Sequence, residues 1–179
     1  DRSRSKKVEL LSRVFDHSTG RYLKGFRLLT ICWSDGVSCL PMDFALLSST
    51  KEKNRFHESH KSMDKRCCAF RRRKEATTKA TDLLAPMVRR ILKAGINARY
   101  VLMDSWFTMP SNVCALRKHL DVIGMVKKTP KVCYEHDGKK RNLMEIYQNL
   151  TKRRGRAKIL ASTTVKLGDG KPAKIVFVR

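Results

Sequence analysis

The stretch from Tyr100 to Val126 constrains the fold more than any other part of the chain. Tyr100, Val101, Leu102 and Met103 form a continuous apolar run of strand length, the pattern of a strand buried on both faces of a sheet. Pro110 and Ser111 then open a helix that runs to about Leu120, with Val113, Leu116 and Leu120 on its buried side. Asp121 to Val126 is a second apolar run. Strand, helix and strand in this order imply a parallel crossover, and such crossovers are right-handed almost without exception. The chain is therefore expected to be an α/β protein. A further helix precedes the unit: from Thr77 onward, Leu84, Met87, Val88, Ile91 and Leu92 recur on one face, and Gly95 supplies the stop. Pro86 falls inside that pattern, so the helix either begins near Thr81 or Asp82 or is kinked there.

Both flanks are written in β grammar. Val8, Leu10, Leu11 and Val14 give a short amphipathic segment without a defined state. Arg21 to Trp33 and Val37 to Leu47 flank the turn signal Ser34-Asp35-Gly36 and read as a hairpin, with Pro41 interrupting the second arm or marking an edge. Beyond Pro130, Val132 to Tyr134, the Asp137-Gly138 turn, a helical piece from Asn142 to Leu150, and the runs Ile159 to Lys166 and Lys174 to Val178 around Gly168-Asp169-Gly170 make a separate, mostly β unit. The expected architecture is a mixed sheet flanked by helices over residues 1–130, followed by a β-rich subdomain over 131–179.

Charge narrows the function. Forty Lys and Arg against 16 Asp and Glu give a formal net charge of +24, while 41% hydrophobic residues exclude a disordered basic tail. A compact domain with so much like charge repels itself, and a polyanionic partner, nucleic acid first, explains the excess. The candidate phosphate contacts are Arg71, Arg72, Arg73 and Lys74, then Lys127, Lys128 and Lys131, then Arg153, Arg154 and Arg156. The first set ends a charged excursion over residues 50–76, which reads equally as a solvated, mobile loop or as a phosphate-contacting arm. No apolar run is long enough for a membrane span and no signal-peptide pattern opens the chain, so a cytosolic, nucleoid-associated protein is expected. Cys32, Cys39, Cys67, Cys68, Cys114 and Cys133 follow no framework spacing and read as small core hydrophobes of a reducing compartment. His57 and His60 before Cys67 and Cys68 resemble a zinc set only at a glance, because adjacent cysteines do not easily share one tetrahedral ion. The chain opens at Asp1 without Met and stops at Arg179 directly after a β-rich run, which reads as a piece of something longer.

Asp104 stands immediately after the first apolar run. An ionised carboxylate at the end of a buried strand is costly to desolvate, so a positive partner is expected beside it. Ligands of open α/β sheets bind beyond the carboxyl ends of the strands, which makes a metal ion a candidate; a helix cap or a pairing with a basic side chain is the alternative. Attack on a phosphodiester uses two divalent ions about 3.5 to 4 Å apart held by converging carboxylates, and carboxylates are otherwise a liability where phosphate binds. An acid at the end of a central strand on a positive surface thus points to a nuclease-like nucleotidyl-transfer core. Trp106 and Phe107 are expected in the core, with base stacking as their other role.

The segments RSRSKKVELLSRVFDH, GFRLLTICWSDG, LPMDFALLSS, KATDLLAPMVRRILKAGINARYVLMDSWF, IGMVKKTPKVCY and KIVFVR resemble the DDE transposases of bacterial insertion sequences, in the group of the insertion sequence four type. The resemblance implies an RNase H-like core interrupted by a β-rich insertion. It also implies cut-and-paste transposition of DNA, with Mg²⁺ or Mn²⁺ as cofactor, and leaves a homodimer open for the intact protein. Asp104 matches the second acid of the family's metal-binding triad. The first acid is expected before Asp1 and the third, a Glu, beyond Arg179; Asp1, Asp16 and Asp43 are not at the matching place. The Tyr, Arg, Glu and Lys signature around the third acid is not found either. On this basis the chain by itself is expected to be inactive. A non-catalytic basic nucleic-acid-binding module or relic, and an RNase H-like nuclease or resolvase, are the other classes that fit.

Overall fold

A computed structural model describes residues 7–60 and 62–179 and divides into two compact units, one through Ala98 and one from Arg99. Asp1 and Lys61 lie outside the described residues. In the first unit, β1 (Ser12–Asp16) and β2 (Arg21–Gly25) form an antiparallel hairpin, and β3 (Arg27–Ser34) and β4 (Cys39–Leu47) form another. The run expected to be one arm, Arg21 to Trp33, is thus divided near Phe26 between two different sheets. The Ser34-Asp35-Gly36 turn is as expected. Asp35 Oδ1 accepts from the amides of Ser38 and Val37, and these bonds hold its carboxyl below the usual range. Pro41 has no N–H to give to the ladder, and the register shifts beside it: Cys32 pairs with Pro41 but Ile31 with Asp43, leaving Met42 as the extra residue of a bulge.

Two helices, α1 (Cys68–Ala76) and α2 (Ala80–Lys93), pack on the second hairpin. Leu83, Leu84, Met87 and Val88 of α2 are buried, as are Leu29, Ala45 and Leu47 of the hairpin, whereas Leu28, Phe44 and Leu46 stay exposed. α2 starts at Ala80, nearly two turns ahead of Pro86, and carries the proline in its interior. Part of the charged stretch is therefore helix and not loop, and its earlier part is also tied down. The Arg55 side chain is only 6% exposed, donating to the Ser49 carbonyl and pairing with Glu52 and Glu58.

A square of charges joins the three elements. The Asp43 carboxylate, on the covered face of β4, is 2.7 Å from Arg90 of α2 and 3.4 Å from Arg72 of α1. Glu75 closes the square by pairing with both arginines. Burial works against the Arg90 charge, but its bonds to Glu75 and Asp43 outweigh it and raise the guanidinium pKa further. Removing one member strands the others, so Arg90→Ala is expected to destabilise the first unit by about 1–3 kcal/mol, the lower part of the range because both arginines are part-exposed. Arg90→Lys should recover only part, since it cannot bridge two carboxylates as a fork. Urea unfolding at constant m-value checks both variants.

In the second unit, β5 (Tyr100–Met103) and β6 (Asp121–Gly124) are parallel and joined through α3 (Pro110–Leu116), the expected crossover with a shorter helix. The strand is not buried on both faces. Leu102 is 74% exposed, and Tyr100 and Ile123 are exposed too: alternate residues of β5 and β6 are open, so one face of the pair has no cover among the described residues. The expected single mixed sheet is likewise replaced by four separate small sheets. The largest runs β10-β9-β7-β8, from β7 (Cys133–His136), β8 (Lys139–Asn142), β9 (Ile159–Lys166) and β10 (Pro172–Val178). It follows the sequence reading closely, including α4 (Leu143–Asn149), which Asn142 and Glu145 start with a reciprocal capping box. Tyr134, Leu143, Ile146, Val165, Leu167 and Ile175 form its core, and Val113 and Cys114 of α3 pack against them. Arg117 reinforces that junction by donating to the Pro172 carbonyl at 3.1 Å and lying 3.9 Å from Asp169.

Apart from Cys114, which packs against the core of the four-stranded sheet, the cysteines do not serve as core residues. Cys32, Cys39, Cys68 and Cys133 are exposed, and Cys67 and Cys114 half-buried, with Cys67 Sγ capping α1 through the Phe70 amide. Cys32, Cys39 and Cys133 take exposed positions on their strands, and Cys67 and Cys68 stand at the start of α1. Among the described residues, no helix is long and apolar enough to cross a membrane.

Candidate metal and nucleic-acid site

Asp104 sits in the tight turn that leaves the carboxyl end of β5. The turn is fixed by its backbone. The Asp104 carbonyl accepts from the amides of Phe107 at 3.0 Å and Thr108 at 3.2 Å and from the Thr108 hydroxyl at 2.8 Å. The Phe107 carbonyl in turn accepts from Asn112 of α3 at 2.9 Å. Thr108 is buried and rests against Gly124, the residue of β6 that pairs with Met103. A Cβ on Gly124 would lie 2.4 Å from Thr108 Oγ1 and 2.7 Å from its Cγ2, so the bare backbone of Gly124 is what lets the turn close. Sequence reading missed this contact, although a glycine inside an apolar strand is a signal of close backbone approach.

The Asp104 side chain is exposed, with Oδ1 accepting from the Ser105 amide and no hydrogen-bond partner at Oδ2 among the described residues. Expectation and structure differ here: among the described residues no basic side chain pairs with Asp104, and none is required, because water solvates an exposed carboxylate at no burial cost. Nor does it cap a helix, for Met109 occupies the N-cap of α3. An outward carboxylate oxygen on a rigid turn suits a hard divalent cation as one ligand. One carboxylate is not a site, and among the described residues no group of three His, Cys, Asp or Glu is placed to hold a metal. Asp16 is engaged with Ser18 and Thr19 in the β1–β2 turn and Asp43 with two arginines, so neither is an outward acid.

The candidate cations fall into different environments. Arg71 and Lys74 on α1 are exposed, while Arg72 belongs to the charge square and Arg73 binds Glu9 at 2.5 Å, a bond that draws the Glu9 carboxyl below its usual range. In the second unit Lys127, Lys128, Lys131, Arg153, Arg154 and Arg156 are all exposed. The last three lie in a turn anchored by the Arg153 amide on the Leu160 carbonyl at 2.7 Å. Lys127 reaches the Asp104 turn, with its Nζ 5.2 Å from the centre of the Trp106 ring. Trp106 itself is 61% exposed, overturning its expected place in the core, whereas Phe107 is half-buried.

An acid at the end of a parallel strand, on a basic α/β chain, is an arrangement that suits a nucleic-acid-processing protein. Residues 1–164 match the family described as DDE superfamily endonuclease, and the chain belongs to that family. No curated protein and no solved structure matches it. Membership implies an RNase H-like fold, a DNA substrate and the divalent-metal chemistry general to the family.

The Thr108–Gly124 contact can be checked by a double-mutant cycle. Gly124→Ala is expected to cost about 1–3 kcal/mol by overpacking. Thr108→Ala in the same chain should return part of that loss, because it removes both clashing atoms. Additive losses in thermal unfolding would mean that the two residues do not meet.

Proposed function

We propose that this chain is the part of a DDE transposase, of the insertion sequence four type, that carries one metal-binding acid and much of the DNA-holding surface. The supporting observation is the outward Asp104 carboxylate on a backbone-locked turn, in a chain that belongs to the DDE superfamily endonucleases. In this reading residues 131–179 belong to the β-rich insertion, and the reaction is cleavage at the ends of the element followed by strand transfer into target DNA.

Mg²⁺ or Mn²⁺, when bound, supplies positive charge at the scissile phosphate and lowers the pKa of the attacking water. The chain supplies the rest. Asp104 offers Oδ2 as one ligand while the Ser105 amide holds Oδ1, so the carboxylate is oriented before any cation arrives. Lys127 and Lys128 follow β6 next to that turn, where the Met125 amide donates to the Met103 carbonyl at 3.2 Å. They screen phosphate charge close to the acid. Lys131 and the turn with Arg153, Arg154 and Arg156 bind duplex phosphates, and Arg71 and Lys74 do so from the first unit. Arg72 and Arg73 contribute to the surface through the part of each guanidinium not already committed to Asp43, Glu75 or Glu9.

Asp104→Asn in the intact transposase is expected to abolish Mg²⁺-dependent cleavage of the element's end while leaving DNA affinity within about twofold, because the substitution removes a metal ligand and adds no repulsion. Undiminished cleavage by that variant would sink the assignment. The basic turn is tested separately: Arg154→Gln should weaken binding across all sequences and flatten the slope of log K against log salt by about one unit. An unchanged slope would make the turn a solvated face only.

A further inference from the structure

We infer that Trp106 is a stacking platform for an unpaired nucleotide base, with Lys127 as its cationic partner, so that the DNA strand beside Asp104 is held locally unpaired. The inference rests on the transposase reading above and adds the form of DNA that the site takes.

An indole is costly to leave in water, and Trp106 is 61% exposed on a turn whose backbone is otherwise fully organised. Its exposure is not the result of a loose segment. Phe107, the next residue, is half-buried and Thr108 is buried, so the turn sorts its side chains and turns the largest one outward. Lys127 Nζ stands over the indole, the arrangement by which a cation and a ring attract. Sequence separates the two residues by 21 positions, and the parallel pairing of β5 with β6 brings them together.

An aromatic face beside a lysine is the pairing that binds single-stranded nucleic acid: the ring stacks on a base of any identity and the ammonium takes the neighbouring phosphate. A stacked duplex cannot use the ring, because its base faces are already covered. The platform is two residues from Asp104, so a base drawn onto it belongs to a nucleotide next to the phosphate that the acid serves. The net charge of +24 favours a nucleic acid over a protein partner at this spot.

The chain contains two tryptophans, and Trp33 is tied through its indole N–H to the Asn97 carbonyl, so Trp33→Phe leaves Trp106 as the single reporter. In metal-free buffer, oligothymidylate of about ten nucleotides should quench that fluorescence, and a blunt duplex of the same length should quench it much less. Trp106→Ala should weaken oligothymidylate binding about 5- to 150-fold with little effect on the duplex, and Trp106→Phe should restore most of the loss. If Trp33→Phe does not fold, anisotropy of labelled oligothymidylate on Trp106→Ala and Trp106→Phe in the parent background decides alone. Equal loss for both ligands, no loss for either, or a change only in self-association would overturn the inference. Those outcomes leave Asp104-dependent cleavage intact and so spare the transposase reading. Failure of the parent to bind any DNA would instead remove both.

Discussion

Thr108 rests on the bare backbone of Gly124, and the geometry of the candidate site follows from that contact. Parallel pairing of β5 with β6 sets Met103 opposite Gly124, so the turn after β5 closes over the end of the neighbouring strand. Because no Cβ stands in the way, the Thr108 hydroxyl reaches the Asp104 carbonyl and the Phe107 and Thr108 amides complete the turn. Asp104 is then directed outward and Trp106 with it. The backbone of the turn, and not a chain of side-chain contacts, sets where the Asp104 side chain starts.

The distribution of acids follows a second constraint. In a chain with 40 basic residues, an acid that meets an arginine becomes a structural tie. Asp43, Glu75 and Glu9 are used in this way, and each draws in an arginine that would otherwise face outward. Asp104 has no ion pair among the described residues. Its exposure removes the need for one and leaves an oxygen open to a cation from solution.

Local signals were readable where local physics decides them. The Ser34-Asp35-Gly36 turn, the bulge beside Pro41, the amphipathic face of α2, the parallel crossover and the β7-β8 hairpin all rest on neighbouring residues. Burial was less readable, because it depends on which surfaces meet. Tyr100 to Met103 has the composition of a doubly covered strand yet leaves one face open, and Cys32, Cys39 and Cys133 lie exposed on short strands. The arginine-rich run 71–74 carries no periodic apolar signal, and its helix is capped by Cys67, packed on β4 and tied to distant acids through Arg72 and Arg73. Asp104 was legible as an acid after a strand, while its rigidity was not, since Gly124 lies 20 residues further on.

The crossover helix also divides labour between stiffness and variability. Val113 and Cys114 place one side of α3 in the core of the four-stranded sheet, and Arg117 ties its end to Pro172 and Asp169. Burial pushes the Asp169 carboxyl up, but the Lys171 amide, Cys114 and Arg117 outweigh it and keep it ionised for that tie. The turn bearing Asp104 therefore borrows its firmness from a sheet that gives it no side chain. The exposed turn of residues 152–156 lies on that same sheet and carries no core residue. A change of charge there leaves the core of the sheet and the Asp104 turn untouched.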